Sequence, residues 1–155
     1  MQKALEHHEL GVLNDRLRDA AEASTQLLED VIATACRRFP AMGQSAKTAR
    51  IGQLIQCGAW TDAALALIDL ELPLWQVRRI AYDEGEWHCA LSRQRELPDW
   101  LDQSIEARHT DLALAILCAF LEARRVSVPS SRPSVPSVNS CADTLYEVAC
   151  SDNYA

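Results

Sequence analysis

Few residues of this sequence combine the type and the spacing that chemistry requires, and those few lie between Trp75 and His88. Arg79 stands among aromatic and branched residues, and Trp87 follows eight positions later. A guanidinium enclosed by aromatic rings can hold an anion, because ring faces attract the cation while its N–H groups donate to a carboxylate or phosphate. Trp75, Arg79, Trp87 and His88 therefore form a candidate site for an anionic ligand or a partner's carboxylate.

Arg79 also has simpler interpretations, which we favour. Long cationic side chains often extend past the edge of a fold into solvent, so the guanidinium need not be enclosed. Alternatively, it pairs with Asp69 or Glu71, which lie nearby in the sequence. Either arrangement would leave no ligand site at Arg79.

Glu86 and His88 are a second candidate, for general acid–base chemistry. Residues two apart in a strand project from the same face, so the carboxylate could orient the imidazole. Any Glu and His at this spacing give the same pattern, so the signal is weak. The sequence has no nucleophile elbow, phosphate-binding loop or paired-cysteine zinc motif. We therefore predict no catalytic residue, no cofactor and no metal.

The six cysteines divide by their surroundings. Four lie within apolar patterns and are expected to be buried, reduced thiols: Cys36, Cys57, Cys89 and Cys118. Cys141 and Cys150 lie in the tail that follows residue 140 and are expected to be exposed.

The candidate residues are expected on a β-hairpin with strands at about residues 74–82 and 87–93, because two alternating runs flank Gly85. A two-residue loop would set Asp83 against Glu86, a like-charge pair, so we predict a three-residue loop that pairs Tyr82 with Glu86. This register puts the following residues on the core face: Trp75, Val77, Arg79, Ala81, Trp87, Cys89 and Leu91. The other face then carries Gln76, Arg78, Ile80, Tyr82, Glu86, His88 and Ala90.

Helices must cover this hairpin, because two strands alone are marginally stable. A row with spacings of three and four indicates an N-terminal helix: Leu10, Leu13, Leu17, Ala20, Ser24, Leu27 and Val31. A continuous helix to Arg38 would be about 50 Å long. We therefore expect either a break near Gly11 or Asn14, or a projecting end that pairs with another chain.

Residues that typically begin or end helices predict the remaining helices. Ser45 caps a helix that runs to Cys57 and ends at Gly58, and the next helix spans Ala63–Leu72. Pro98 predicts a short helix that uses Trp100, Leu101 and Ile105, and Thr110 caps the last helix. The expected fold class is α+β and mostly helical, with four to five helices packed on one hairpin.

Composition limits the organisation and the function. The chain has 155 residues, a formal net charge of −7 and 48% hydrophobic residues. We expect one domain over residues 1–125, in which residues 1–40 form a helical segment that can project. Residues 126–155 should be a disordered linker and acidic tail, because nine of the fifteen residues 126–140 are Ser or Pro. The acidic balance argues against a nucleic-acid partner, and the absence of a long apolar run argues against a membrane partner.

Several segments resemble a known group of proteins: Gly58–Ile68, Glu71–Trp75 with Arg78 and Arg79, Tyr82–Cys89, and Ala113–Arg125. Together they resemble a family of small uncharacterised alphaproteobacterial proteins of rhizobial type, over about residues 46–125. The resemblance implies a bacterial origin and a cytoplasmic location. It carries no catalytic residue, and the Ser- and Pro-rich end departs from the family pattern.

The expected function is that of a non-enzymatic protein-interaction module. Self-association through the apolar helices of residues 10–39 would make a homo-oligomer its partner. The first alternative is a sensor of small anions or peptides that uses the hairpin face around Arg79. The second alternative is an enzyme with the Glu86 and His88 pair.

Overall fold

A computed structural model describes residues 2–41, 45–93 and 104–127. The elements in chain order are α1 (Gln2–Asp19), α2 (Thr25–Ala35), α3 (Arg38–Ala41), α4 (Ala46–Gln56), α5 (Trp60–Glu71), β1 (Gln76–Asp83), β2 (Glu86–Ser92), β3 (Ser104–His109) and α6 (Leu112–Ser127). The predicted class, mostly helical α+β, is confirmed, although the sheet has three strands. The predicted linker and tail lie outside the described residues from position 128 onward, as do Trp100 and Leu101.

Helix α6 lies at the centre of the core. Ten of its sixteen residues are buried, which matches an apolar sequence on all sides of a helix. It packs on β2 and β3 and also on α1 and α5. Asp111 begins it, since the Leu114 N–H donates to the Asp111 carboxylate at 3.0 Å. The N-cap is therefore Asp111 and not the predicted Thr110.

The N-terminal helical segment is broken, but the break lies at residues 20–24. Gly11 and Asn14, where we expected it, are inside α1. Ser24, which interrupts the apolar row, caps α2 by accepting a hydrogen bond from the Leu27 N–H. Because the chain turns there, α1 packs against both α2 and α6. The row therefore points into the chain's own core, where its buried members are Leu10, Leu13, Leu17 and Val31.

Helices α4 and α5 pack against each other. Ser45 caps α4 as predicted, accepting from the Thr48 N–H at 3.2 Å. Gly58 has φ +74°, a left-handed conformation that ends the helix without steric cost. Helix α5 begins at Trp60, three residues before the predicted start. Cys57 at the end of α4 is exposed, so its predicted burial is wrong.

The third strand corrects a predicted helix. Ile105, assigned to a helix begun by Pro98, lies in β3, which pairs antiparallel with β2. Ile105, Ala107 and His109 alternate with Ser104, Glu106 and Arg108, so one face of β3 meets α6 and the other does not. The strand order is β1-β2-β3, which leaves β1 at one edge of the sheet.

Candidate functional site

The turn between β1 and β2 sets the geometry of the predicted site. Asp83 pairs with Glu86 across a two-residue loop, so the predicted three-residue loop is wrong. Glu84 has φ 50° and Gly85 has φ 87°. Two left-handed residues make a type I′ turn, whose twist matches that of the flanking strands. The loop is therefore one residue shorter than predicted, which exchanges the two faces of β1 relative to β2.

A β-bulge adds a second change. The register shifts between Val77 and Arg79, so Val77 lies opposite Leu91 while Arg79 lies opposite Ala90. The side that carries the helices, here called the helix-side face, consists of Val77, Ile80 and Tyr82 from β1 with Trp87, Cys89 and Leu91 from β2. The opposite side, the outer face, carries Gln76, Arg79, Ala81 and Asp83 with Glu86, His88, Ala90 and Ser92.

The four predicted site residues are divided between these faces. Trp75 is buried before β1, and its indole N–H donates to the Ser127 hydroxyl at 2.9 Å. Trp87 lies on the helix-side face, where its ring centroid is 5.0 Å from that of Tyr82. Arg79 and His88 lie on the outer face, and Arg79 is exposed. The placement of Arg79 between Trp75 and Trp87 on one core face is therefore wrong, although a binding role for these residues stays a prediction.

His88 has an acidic partner that the sequence did not indicate. Its Nδ1 lies 2.9 Å from Oε1 of Glu106 in β3. The residue directly opposite His88 in the ladder is Arg108, two positions after Glu106. The predicted partner, Glu86, shares the outer face but lines a depression at the β3 edge together with Glu106. His88 is not part of that depression. Only the pairing of β2 with β3 brings His88 and Glu106 together, so missing the third strand meant missing the pair.

The edge strand β1 carries an unusual share of exposed apolar surface. Leu74, Ile80 and Tyr82 are 64%, 38% and 61% exposed, and in the described part of the chain the other large exposed apolar residues are scattered on helices. Helix α6 covers β2 and β3, so the helix-side face of β1 extends beyond the core. Exposed apolar side chains along an edge strand are typical of an interaction surface.

A groove of about 610 Å³ adjoins the start of β1. Its floor is apolar and half-buried, with Leu54 from α4 and Leu65 from α5 facing Val77. Lys47 and Asp69 are among the charged residues at its rim. The groove extends the apolar surface of the β1 edge toward the helices.

Three thiols are deeply buried and unsuited to chemistry. Burial raises the pKa of Cys89 and of Cys118 to about 11, and it raises that of Cys36 further, helped by the nearby Glu71 carboxylate. A protonated thiol is a poor nucleophile and metal ligand. Among the described residues, no group of three or more His, Cys, Asp or Glu side chains is placed to hold a metal ion.

Comparison with protein-family models, with curated proteins and with solved structures finds no match. The resemblance to a rhizobial family thus stays a prediction. Within residues 2–41, 45–93 and 104–127, no helix is both long and apolar enough to span a bilayer.

Proposed function

We propose that this protein is a non-enzymatic protein-interaction module that binds another polypeptide along the free edge of β1. The observation that carries the proposal is the clustering of Leu74, Ile80 and Tyr82 on one edge strand and the segment leading into it. The bacterial origin and the cytoplasmic location implied by the sequence resemblance belong to the same proposal.

Strand addition suits this edge for two physical reasons. The outward N–H and C=O groups of an edge strand can continue the ladder with an added strand. The exposed apolar side chains of Ile80 and Tyr82 can then be covered by side chains of that strand, which supplies the favourable hydrophobic contribution. The groove beside Val77 gives the added polypeptide a further apolar contact at the start of β1.

The proposed interaction surface is the edge of β1 and not the helices of residues 10–39, where the sequence led us to expect it. The apolar row of those helices packs inside the chain, so it offers little surface to a partner. The site for an enclosed anion gains no support, because Arg79 and Trp87 lie on opposite faces. The catalytic alternative gains none either, since His88 binds Glu106 and does not line the depression that Glu86 lines.

The test is a selection of short peptides from a random display library against the immobilised protein. We expect selected peptides to alternate apolar and polar residues, and to shift the backbone amide signals of Ile80 and Tyr82 in NMR spectra. Ile80→Lys should abolish binding, because a charge on the helix-side face opposes the apolar partner. Val12→Lys is the matched control, since Val12 is an exposed apolar residue on α1. Peptides that bind Ile80→Lys as well as they bind Val12→Lys would contradict the proposal.

A further inference from the structure

We infer that the polypeptide which pairs with β1 is the β1 strand of a second copy of this chain, in an antiparallel register centred on Ala81. The inference rests on the proposed function for the identity of the surface and adds the partner and the register. The described edge carries side chains that complement themselves across a two-fold axis through Ala81.

The hydrogen-bond pattern restricts the registers available. The residues that flank a two-residue hairpin loop form a hydrogen-bonded pair, and such pairs then alternate along an antiparallel ladder. Asp83 and Ala81 therefore direct their backbone groups toward β2. Ile80 and Tyr82 direct theirs to the free edge, where a second strand can bond to them. Two-fold registers that satisfy these groups are centred on Ile80, Ala81 or Tyr82.

The charged residues that face each other differ among these three registers. In the described part of the chain, neither Arg79 nor Asp83 has an ion-pair partner, and both lie on the outer face. Centring on Ala81 sets Arg79 directly opposite the partner's Asp83, and the symmetry repeats this pair. Centring on Ile80 sets Arg79 opposite the partner's Ala81, and centring on Tyr82 sets Asp83 opposite the partner's Ala81. Opposite charges directly across a ladder are stabilising, so the register at Ala81 is favoured.

The apolar residues agree with the same register. Ile80 lies opposite the partner's Tyr82 on the helix-side face, and this contact also occurs twice. Both side chains are exposed in the single chain, so pairing buries surface that the monomer leaves in water. The two-fold axis is perpendicular to the sheet, so the helices of both copies lie on the same side of the joined sheet. Helix α6 packs on β2 and β3, which leaves that side of β1 open for the junction.

The first experiment exchanges the charges and measures the dimer dissociation constant by sedimentation velocity. We expect Arg79→Asp to weaken the dimer by about tenfold to thirtyfold, because each of two attractive pairs becomes repulsive. Asp83→Arg should do the same. The double variant R79D/D83R restores opposite charges and should return to within about threefold of the wild type. Additive weakening in the double variant would overturn the register.

The second experiment cross-links the full chain with cysteines. The background carries serine at Cys57, Cys141 and Cys150, so that the remaining thiols are the buried ones. In the proposed register, Ala81 faces the partner's Ala81 as a non-hydrogen-bonded pair with Cα atoms about 4.5 Å apart, within the range for a disulfide. Ala81→Cys should therefore form a covalent dimer on mild oxidation.

Ala90→Cys is the matched control for the cross-link. Ala90 is also a half-buried alanine of the outer face, but it lies on β2. Three strand spacings, about 14 Å, would separate the strand that carries Ala90 from the strand that carries its copy. Equal cross-linking of the two variants, or a wild-type chain that stays monomeric at every concentration, overturns the self-pairing. These results would leave the proposed function standing, because a monomer can still bind other polypeptides along β1. The proposed function is contradicted by a different result, namely that no selected peptide binds the β1 edge.

Discussion

Glu71 provides the most direct test of the structural reasoning. Its carboxylate is 3% exposed and lies near the end of α5. Oε2 accepts a hydrogen bond from the Arg37 N–H at 2.9 Å, and Oε1 accepts one from the Phe39 N–H at 2.6 Å. Arg37 lies between α2 and α3, and Phe39 lies in α3, so one buried side chain attaches this part of the chain to α5. We predict that Glu71→Gln lowers the free energy of unfolding.

The magnitude follows from the two hydrogen bonds. A bond to a charged group contributes about 1.5–3 kcal/mol, and a buried donor left unpaired adds its own penalty. The glutamine amide keeps one oxygen for one N–H but turns an NH₂ group toward the other. We therefore expect a loss of about 2–4 kcal/mol for Glu71→Gln, and about 3–6 kcal/mol for Glu71→Ala, which removes both acceptors. Domains of this size are stable by about 5–15 kcal/mol, so the effect is a large fraction of the total.

The assay is urea unfolding followed by tryptophan fluorescence, with the midpoint and slope fitted separately. Asp69→Asn is the matched control, because Asp69 is an exposed carboxylate of the same helix. It should change stability by less than about 0.5 kcal/mol. If Glu71→Gln proves as stable as Asp69→Asn, the two backbone bonds do not hold the segment as described.

Two further predictions concern α6 and the buried thiols. Asp111→Ala removes the oxygen that accepts a hydrogen bond from the Leu114 N–H, so calorimetry should show that the free energy of unfolding falls by about 1–2 kcal/mol. Asp111→Asn keeps an acceptor and should retain most of this stability. Equal losses in the two variants would contradict the capping role of Asp111. The raised pKa of about 11 at Cys89 and Cys118, against an ordinary value of 9.0, means that the folded state holds these protons more tightly than the unfolded chain. This contribution is fully present below pH 9 and is lost as the pH rises through about 11, so stability should fall in that window. Cys118→Ala should make the decline shallower, and a decline of unchanged steepness would refute the assignment.

The helical part of the fold was predictable because its signals are local. A serine before an apolar period caps a helix by its own geometry, as Ser45 does. Gly58 ends α4 because a left-handed residue costs glycine little. The buried row from Leu10 to Val31 also follows from spacing alone. The break at residues 20–24 was harder to locate, because a serine at position 24 is equally consistent with a polar interruption of one continuous helix and with the N-cap of a new helix.

The register of the hairpin was not predictable from charge. We expected the chain to avoid setting Asp83 against Glu86, yet it does so. A like-charge pair across a ladder costs about 0.2–1 kcal/mol, and less where solvent screens it. The type I′ turn at Glu84 and Gly85 fits the twist of the strands, and that preference outweighs the repulsion.

The missing third strand explains the incomplete candidate site. Ser104–His109 alternates polar and apolar residues, a period-two signal that was available in the sequence. Pro98 indicated the start of a helix instead, and the alternation in β3 extends over only six residues, which is too short to outweigh that indication. Without β3, nothing in the sequence relates Glu106 to His88. Contacts between distant segments depend on topology, which local patterns do not determine.

Arg79 looked anomalous because the alternation of β1 was taken as unbroken. The apolar residues before the bulge, such as Val77, and those after it, such as Ile80 and Tyr82, occupy opposite rows of a regular strand. The bulge between Val77 and Arg79 brings Val77 to the helix-side face together with Ile80 and Tyr82. Arg79 lies on the outer face because the two-residue loop sets it opposite Ala90.

The same turn determines what the free edge can do. A three-residue loop would direct the backbone groups of a different set of residues outward and would put the row of Arg79 beneath the helices. With the two-residue loop, Ile80 and Tyr82 present both their backbone groups and their apolar side chains at the edge. Arg79 and Asp83 then share the solvent side as a potential pair. The conformation of Glu84 and Gly85 therefore decides both where Arg79 points and whether β1 can pair with a second copy.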